Sequence, residues 1–160
     1  MGEDRPGLVE KISSMLLRCG ANLEDSRMAI LGGEFALILL FSGDAGAVRA
    51  VDEARVALAN ELELRIHAKS TGRQRAPSDY LPYTLRTSGV DRPGIVARVS
   101  AVLAGNEVNV AALESRVSYA PLTGTPLFQL EAELQVPSRV GLSKLRAQLN
   151  KLCDDENLDF

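Results

Sequence analysis

One hexapeptide pattern occurs twice in the chain, as Gly2-Glu3-Asp4-Arg5-Pro6-Gly7 and Gly89-Val90-Asp91-Arg92-Pro93-Gly94, and this duplication constrains the fold more than any other feature. At an offset of 87 positions (from 2 to 89), Val9 also meets Val96, Ser13 meets Ser100, Leu16 meets Leu103 and Asn22 meets Asn109. Further on, a two-residue step aligns Asp25-Ser26-Arg27 with Glu114-Ser115-Arg116. Agreement at this density marks two copies of one small module. The expected organisation is a first domain over residues 1–69, a linker over residues 70–80 rich in Ser, Gly, Arg and Pro, and a second domain over residues 81–160.

Each copy reads as the same run of elements. Asp4 and Asp91 stand just before a proline-containing first turn, where a side-chain acceptor is expected to cap free backbone N–H groups. A helix follows, with Leu8, Ile12, Met15, Leu16 and Cys19 at helical spacing in one copy and Ile95, Val99, Val102 and Leu103 in the other. Gly20 and Gly105 fall where a left-handed C-cap is expected. Two strands come next: Asn22 to Leu31 and Glu34 to Ser42 joined by Gly32-Gly33, and Asn109 to Tyr119 and Leu127 to Val136 joined by a longer loop. A second helix is expected over Ala45 to Asn60 and over Ser138 to Leu152. In the first copy a last strand is expected over Glu61 to Lys69, where Leu62, Leu64, Ile66 and Ala68 alternate with charged and polar residues.

The second copy has a strand, Leu81 to Thr87, before its turn. The resulting order of strand, helix, strand, strand, helix, strand is that of an α+β, ferredoxin-like (βαββαβ) sandwich. The first copy begins at Met1-Gly2, so its opening strand is expected to be absent and its sheet to carry extra edges. The final strand of the second copy is expected to be short. The third strands differ in pattern. Phe35, Leu37, Leu39 and Phe41 form one apolar face and Ala36, Ile38 and Leu40 another, whereas in the second copy Gln129, Glu131, Glu133 and Gln135 make the outer face polar. Both faces of the first sheet are therefore expected to be covered, the outer one by the other repeat or by a second subunit.

Bulk properties exclude several classes of function. No apolar run nears the roughly 20 residues that cross a bilayer, and the N-terminus lacks a signal-peptide profile, so a cytoplasmic protein without membrane contact is expected. A net charge of −3 argues against gripping nucleic acid through its phosphates. The basic run Lys69 to Arg75 reads as a solvated connector. Cys19 and Cys153 lie far apart and make no metal-binding or disulfide pattern. His67, the single histidine, sits on the polar side of its segment with no matching nucleophile. Asp154, Asp155 and Glu156 are consecutive and point in different directions, as a solvated loop does. No catalytic residue, metal site or cofactor is expected.

The Asp-Arg-Pro-Gly-Leu/Ile-Val turn and helix, followed by Asn22-Leu23-Glu24-Asp25-Ser26-Arg27, resembles ACT domains, small modules that sense amino acids. Asn22 to Phe41, Thr123 to Pro126 and Cys153 to Asp159 resemble, more narrowly, the tandem-ACT repressors of glycine cleavage genes. The resemblance implies a non-enzymatic regulator without a DNA-binding domain. It implies that a small amino acid, glycine foremost, and a transcriptional activator of the LysR type are its partners, and that it forms a homo-oligomer. Two other readings remain open: an ACT module that regulates a metabolic enzyme, and a purely structural dimerisation module.

In the family the ligand sits at the junction of two modules, between the turn before the first helix and the start of the following strand. Carried over, this implicates Asp4, Arg5, Pro6, Gly7 and Leu8 with Asn22 and Asp25, and Asp91, Arg92, Pro93, Gly94 and Ile95 with Asn109 and Glu114. The chemistry is coherent. A helix N-terminus offers N–H groups and positive dipole to a carboxylate. Gly7 and Gly94 permit close approach, the asparagine amides suit either end of an amino acid, and Asp25 and Glu114 suit its ammonium. The plainer reading of the same residues is a capped helix, a stiff turn and a shaped loop.

Overall fold

The computed structural model describes residues 1–72 and 79–160. The chain divides into two compact units, Met1–Gln74 and Arg75–Phe160. The first contains β1 (Gly2–Glu3), α1 (Leu8–Arg18), β2 (Asn22–Leu31), β3 (Glu34–Ser42) and α2 (Ala45–Glu61). The second contains β4 (Tyr80–Val90), α3 (Ile95–Gly105), β5 (Asn109–Tyr119), β6 (Pro126–Pro137), α4 (Leu142–Glu156) and β7 (Leu158–Asp159). Their antiparallel sheets run in the orders β1-β3-β2 and β5-β6-β4-β7, each with two helices on one face, which is the expected ferredoxin-like sandwich.

Apolar periodicity explains both cores. Leu8, Ile12, Met15 and Leu16 form the buried stripe of α1 and close over Phe35 together with Val51 and Leu58 of α2. In the second unit Ile95, Val99, Leu103, Leu145 and Leu149 close over Phe128, Leu130, Ala132 and Leu134. Gly32 and Gly33 take φ of 61° and 84°, as a two-residue hairpin requires. Asp44 caps α2 by accepting a 2.8 Å hydrogen bond from the Ala47 N–H.

Both copies bulge at the same offset, between Leu23 and Asp25 in β2 and between Val110 and Ala112 in β5. Register then continues in parallel, so Asp25, opposite Leu40, corresponds to Ala112, opposite Glu133. Glu114, opposite Glu131, corresponds to Arg27, opposite Ile38. The two-residue step expected from the sequence is therefore not structural. The extra residues of the second copy all lie in the loop that replaces Gly32-Gly33, where the Ala120 N–H donates to Thr125 O at 2.9 Å.

The opening strand of the first copy is missing, as expected, apart from Gly2 and Glu3, which pair with Phe35 and Glu34 as Gly89 and Val90 pair with Phe128 and Leu127. Other expectations are corrected. The segment after α2 forms no strand, and its backbone pairing with the first strand is confined to Met1 and Arg65. The Arg65 N–H donates to Met1 O at 2.8 Å and the Met1 ammonium to Arg65 O at 3.1 Å. Leu62 and Leu64 are nonetheless buried and Glu63, Arg65 and His67 exposed, so the alternation survives without the ladder. α4 starts at Leu142 rather than Ser138, since the Ser138 N–H still extends the sheet by donating to Asp79 O at 2.8 Å. Gly20 is left-handed (φ 73°), but Gly105 is the last residue of α3 and the left-handed position falls to Glu107 (φ 56°), at the offset of 87 from Gly20.

On the outer face of the first sheet, large apolar side chains are exposed within the single chain. Ile38 is 78% and Leu40 44% exposed. The basic run from Lys69 enters residues 73–75, which lie outside the described residues.

Candidate functional site

Each Asp-Arg-Pro-Gly turn links the end of its first strand to its first helix. The expected side-chain caps are absent: Gly7 (φ 93°) and Gly94 (φ 91°) are themselves the N-caps, in the left-handed region. With the helix starting at Leu8 or Ile95, the aspartate lies three residues upstream of the cap, too far back to reach its N–H groups. The aspartates extend the sheet through their backbone, with Asp4 N–H donating to Gly33 O and Asp91 N–H to Pro126 O, both at 2.9 Å. The turns thus leave helix N–H groups open, and Asp4, Arg5, Pro6, Gly7, Arg92, Pro93 and Gly94 are exposed while Asp91 is half-buried. Leu8 and Ile95 point into the cores, at 3% and 2% exposure, and offer a ligand their backbone rather than their side chains.

Each turn is fastened to the end of its second helix, by different means. In the first unit Arg5 Nη2 donates to Leu62 O at 2.5 Å, and Lys11 Nζ donates to Glu61 Oε1 at 2.6 Å. That lysine holds the Glu61 carboxyl below the usual carboxylate range through its hydrogen bond and its charge. In the second unit Arg98, at the same offset as Lys11, takes over both duties. Its Nη2 donates to Glu156 Oε2 at 3.0 Å and to Pro93 O at 3.2 Å, and its Nε lies 2.7 Å from Glu156 Oε1. Arg98 Nη1 would stand 2.8 Å from a Cβ at Gly94, whereas nothing lies within 4 Å of one at Gly7. Arg98 and Glu156 were not among the residues expected at the site. The signal for Arg98 was its place four residues after Gly94, one helical turn into α3.

The strand halves of the candidate sites lie elsewhere. Asn22 pairs with Ser42 and Asn109 with Gln135, at the ends of their sheets opposite to the turns. The hairpin Leu31–Glu34 sits at the turn end, since Gly33 accepts from Asp4. The nine residue-to-residue steps of extended strand from Asn22 to Leu31 span roughly 30 Å. The distance in the second unit is similar. Neither unit therefore brings its own turn and its own asparagine together. Asn109 Nδ2 already donates to Gln135 Oε1 at 2.8 Å. Asp25 and Glu114 lie on the outer faces, away from the helices, opposite Leu40 and Glu131. Glu131 is engaged by Arg86 at 2.8 Å, which keeps its carboxyl below the usual range.

Among the described residues, no three His, Cys, Asp or Glu side chains cluster as a metal site, and His67 is exposed. Cys153 is 2% exposed, and burial pushes its thiol above the ordinary value, which leaves it protonated and unreactive near neutrality. No helix among the described residues is long and apolar enough to cross a membrane.

A family model described as an ACT domain matches residues 1–69, and a second of the same description matches residues 83–154. The chain is 29% identical over 157 residues to the glycine cleavage system transcriptional repressor of Escherichia coli, spanning 98% of this chain and 83% of that protein. A crystal structure of an unknown protein from Galdieria sulphuraria is 32% identical, with a TM-score of 0.86, over 99% of this chain and 90% of that one. A crystal structure of a candidate glycine cleavage system transcriptional repressor shares the fold, with a TM-score of 0.72 at 22% identity, over 99% of this chain and 89% of that one.

Proposed function

The chain belongs to the ACT-domain family through both of its repeats, and on that premise we propose that it is a non-enzymatic, amino-acid-responsive regulator in the cytoplasm. It represses glycine cleavage genes by binding a transcriptional activator of the LysR type, acts as a homo-oligomer, and contacts neither nucleic acid nor membrane. The observation that carries this reading is the similarity to the Escherichia coli repressor along 98% of the chain, across both domains and the segment between them. The net charge of −3 suits a surface that meets protein rather than phosphate.

The ligand is a small amino acid, glycine first, bound in a composite site. One module lends the open helix N-terminus at Gly7 or Gly94, where N–H groups receive the carboxylate. Another lends the start of its second strand, where Asn22 or Asn109 and the neighbouring acid receive the ammonium.

Affinity capture of soluble extract on the full chain, with and without glycine, tests the reading. A LysR-type activator retained more strongly with glycine supports it. Retention of a metabolic enzyme in its place would establish the alternative, an ACT module that controls an enzyme.

A further inference from the structure

We propose that the two strand starts are unequal partners for a ligand's ammonium group: Asn22 and Asp25 of the first unit receive it, whereas Gln135 closes the start of the second. The proposal rests on the ligand reading above and assigns the ammonium to one unit.

An odd spacing along a strand sends two side chains to opposite faces. The bulge between Leu23 and Asp25 removes that separation, because Glu24 is the extra residue. Leu23 pairs with Phe41, which packs against the core, so Asn22, opposite Ser42, and Asp25, opposite Leu40, share the outer face. A carboxamide and a carboxylate thus stand on one face beside a hydroxyl. Among the described residues neither Asn22 nor Asp25 has a side-chain partner, while Arg27, next along this face, has an interaction of its own. A primary ammonium carries three N–H donors and suits two such acceptors, the contact to the carboxylate being charge-assisted.

The second unit has the same bulge, between Val110 and Ala112, with different chemistry at the corresponding positions. Ala112 stands where the first unit has Asp25, so that carboxylate is lost. Gln135 stands where the first unit has Ser42, and its Oε1 accepts from Asn109 Nδ2 at 2.8 Å. Gln135 is half-buried, so the asparagine is tied to a side chain that the sheet holds in place. Glu133, the acid opposite Ala112, is itself engaged. Glu114, the next acid on β5, stands at the position of Arg27, about 7 Å further along the strand than Ala112. A ligand arriving at this strand start must break the Asn109–Gln135 hydrogen bond before Asn109 can receive it, and no carboxylate of β5 stands beside that amide.

Calorimetric titration of the full chain with glycine tests the proposal by exchanging residues between the two copies. Circular dichroism checks that each variant melts as the wild type does. Asp25→Asn keeps the side chain's shape and removes its charge. It is expected to weaken one glycine step about tenfold and to leave the other in place. Gln135→Ser, the residue that the first unit carries, should strengthen that other step about threefold by releasing one neutral hydrogen bond. Gln135→Ser combined with Ala112→Asp should strengthen it about tenfold or more, a gain that a merely structural role for these residues would not produce. Glycine binding unchanged by Asp25→Asn overturns the assignment to the first unit. Binding unchanged by Gln135→Ser, alone and with Ala112→Asp, overturns the closing role of Gln135. A wild-type chain that takes no glycine overturns the ligand reading itself, and this inference with it.

Discussion

A Cβ at Gly89 would stand 2.7 Å from Leu158 Cδ2 and 2.8 Å from the Asn157 carbonyl oxygen. The first of these contacts is a side chain that can turn aside; the second is backbone, held by the left-handed Asn157 (φ 54°) that redirects the chain into β7. At Gly2 the same clash is softer, 2.8 Å to Leu64 Cδ2 but 3.1 Å to the Glu63 carbonyl oxygen. The repeated glycine that opens the motif is thus required by the returning chain and not by the turn. Gly89→Ala is expected to cost about 1–3 kcal/mol, and Gly2→Ala less. All three tyrosines, Tyr80, Tyr83 and Tyr119, belong to the second unit, and the chain has no tryptophan. Tyrosine fluorescence in a urea titration therefore follows the second unit alone. Gly89→Ala shifts that transition to lower urea, whereas Gly2→Ala leaves it in place and shifts the far-ultraviolet signal. Equal tyrosine shifts for both variants would contradict this account.

At the scale of elements, β2, β3 and β5 have the boundaries that alternation and the Gly32-Gly33 signal imply, because side-chain period and turn chemistry are local. What was not legible depended on neighbours distant in sequence. The segment after α2 has a strand's alternation, yet its partner strand offers it one residue pair, and no local pattern reports the length of a partner. The same holds for the site: the turn and Asn22 were visible as motifs, but only the register reveals that β2 carries them to opposite ends of the sheet. Arg98 was hidden because an arginine one turn into a helix is ordinarily solvated, and its role depends on Glu156 arriving from α4. The unpaired segment has a measurable consequence. In hydrogen exchange the amides of residues 66–69 are expected to exchange at near-unprotected rates, while Arg65, whose N–H donates to Met1 O at 2.8 Å, is slower. Uniform protection across residues 64–69 would show a ladder and refute the assignment.

For the whole molecule, duplication has produced two modules with one fold and unequal surfaces. One sheet presents an apolar outer face and the other a polar one, and the two turns differ in the same way. A carboxylate bound at Gly7 would meet a bare helix N-terminus. At Gly94 it would meet the N-terminus together with a guanidinium, Arg98, whose Nη1 lies 2.8 Å from where a Cβ would be and whose Nη2 is already engaged by Glu156. If each composite site uses one turn, the chain carries two sites of different affinity. Calorimetric titration of the full chain with glycine is then expected to give two unequal steps. Arg98→Ala should weaken one step about tenfold, the loss of one charge-assisted contact, and leave the other unchanged. Gly7→Val, which forces a branched side chain into a left-handed cap, should abolish the step that Arg98→Ala leaves intact. A single set of identical sites, indifferent to Arg98→Ala, would show that the turns act as equivalents despite their different surroundings.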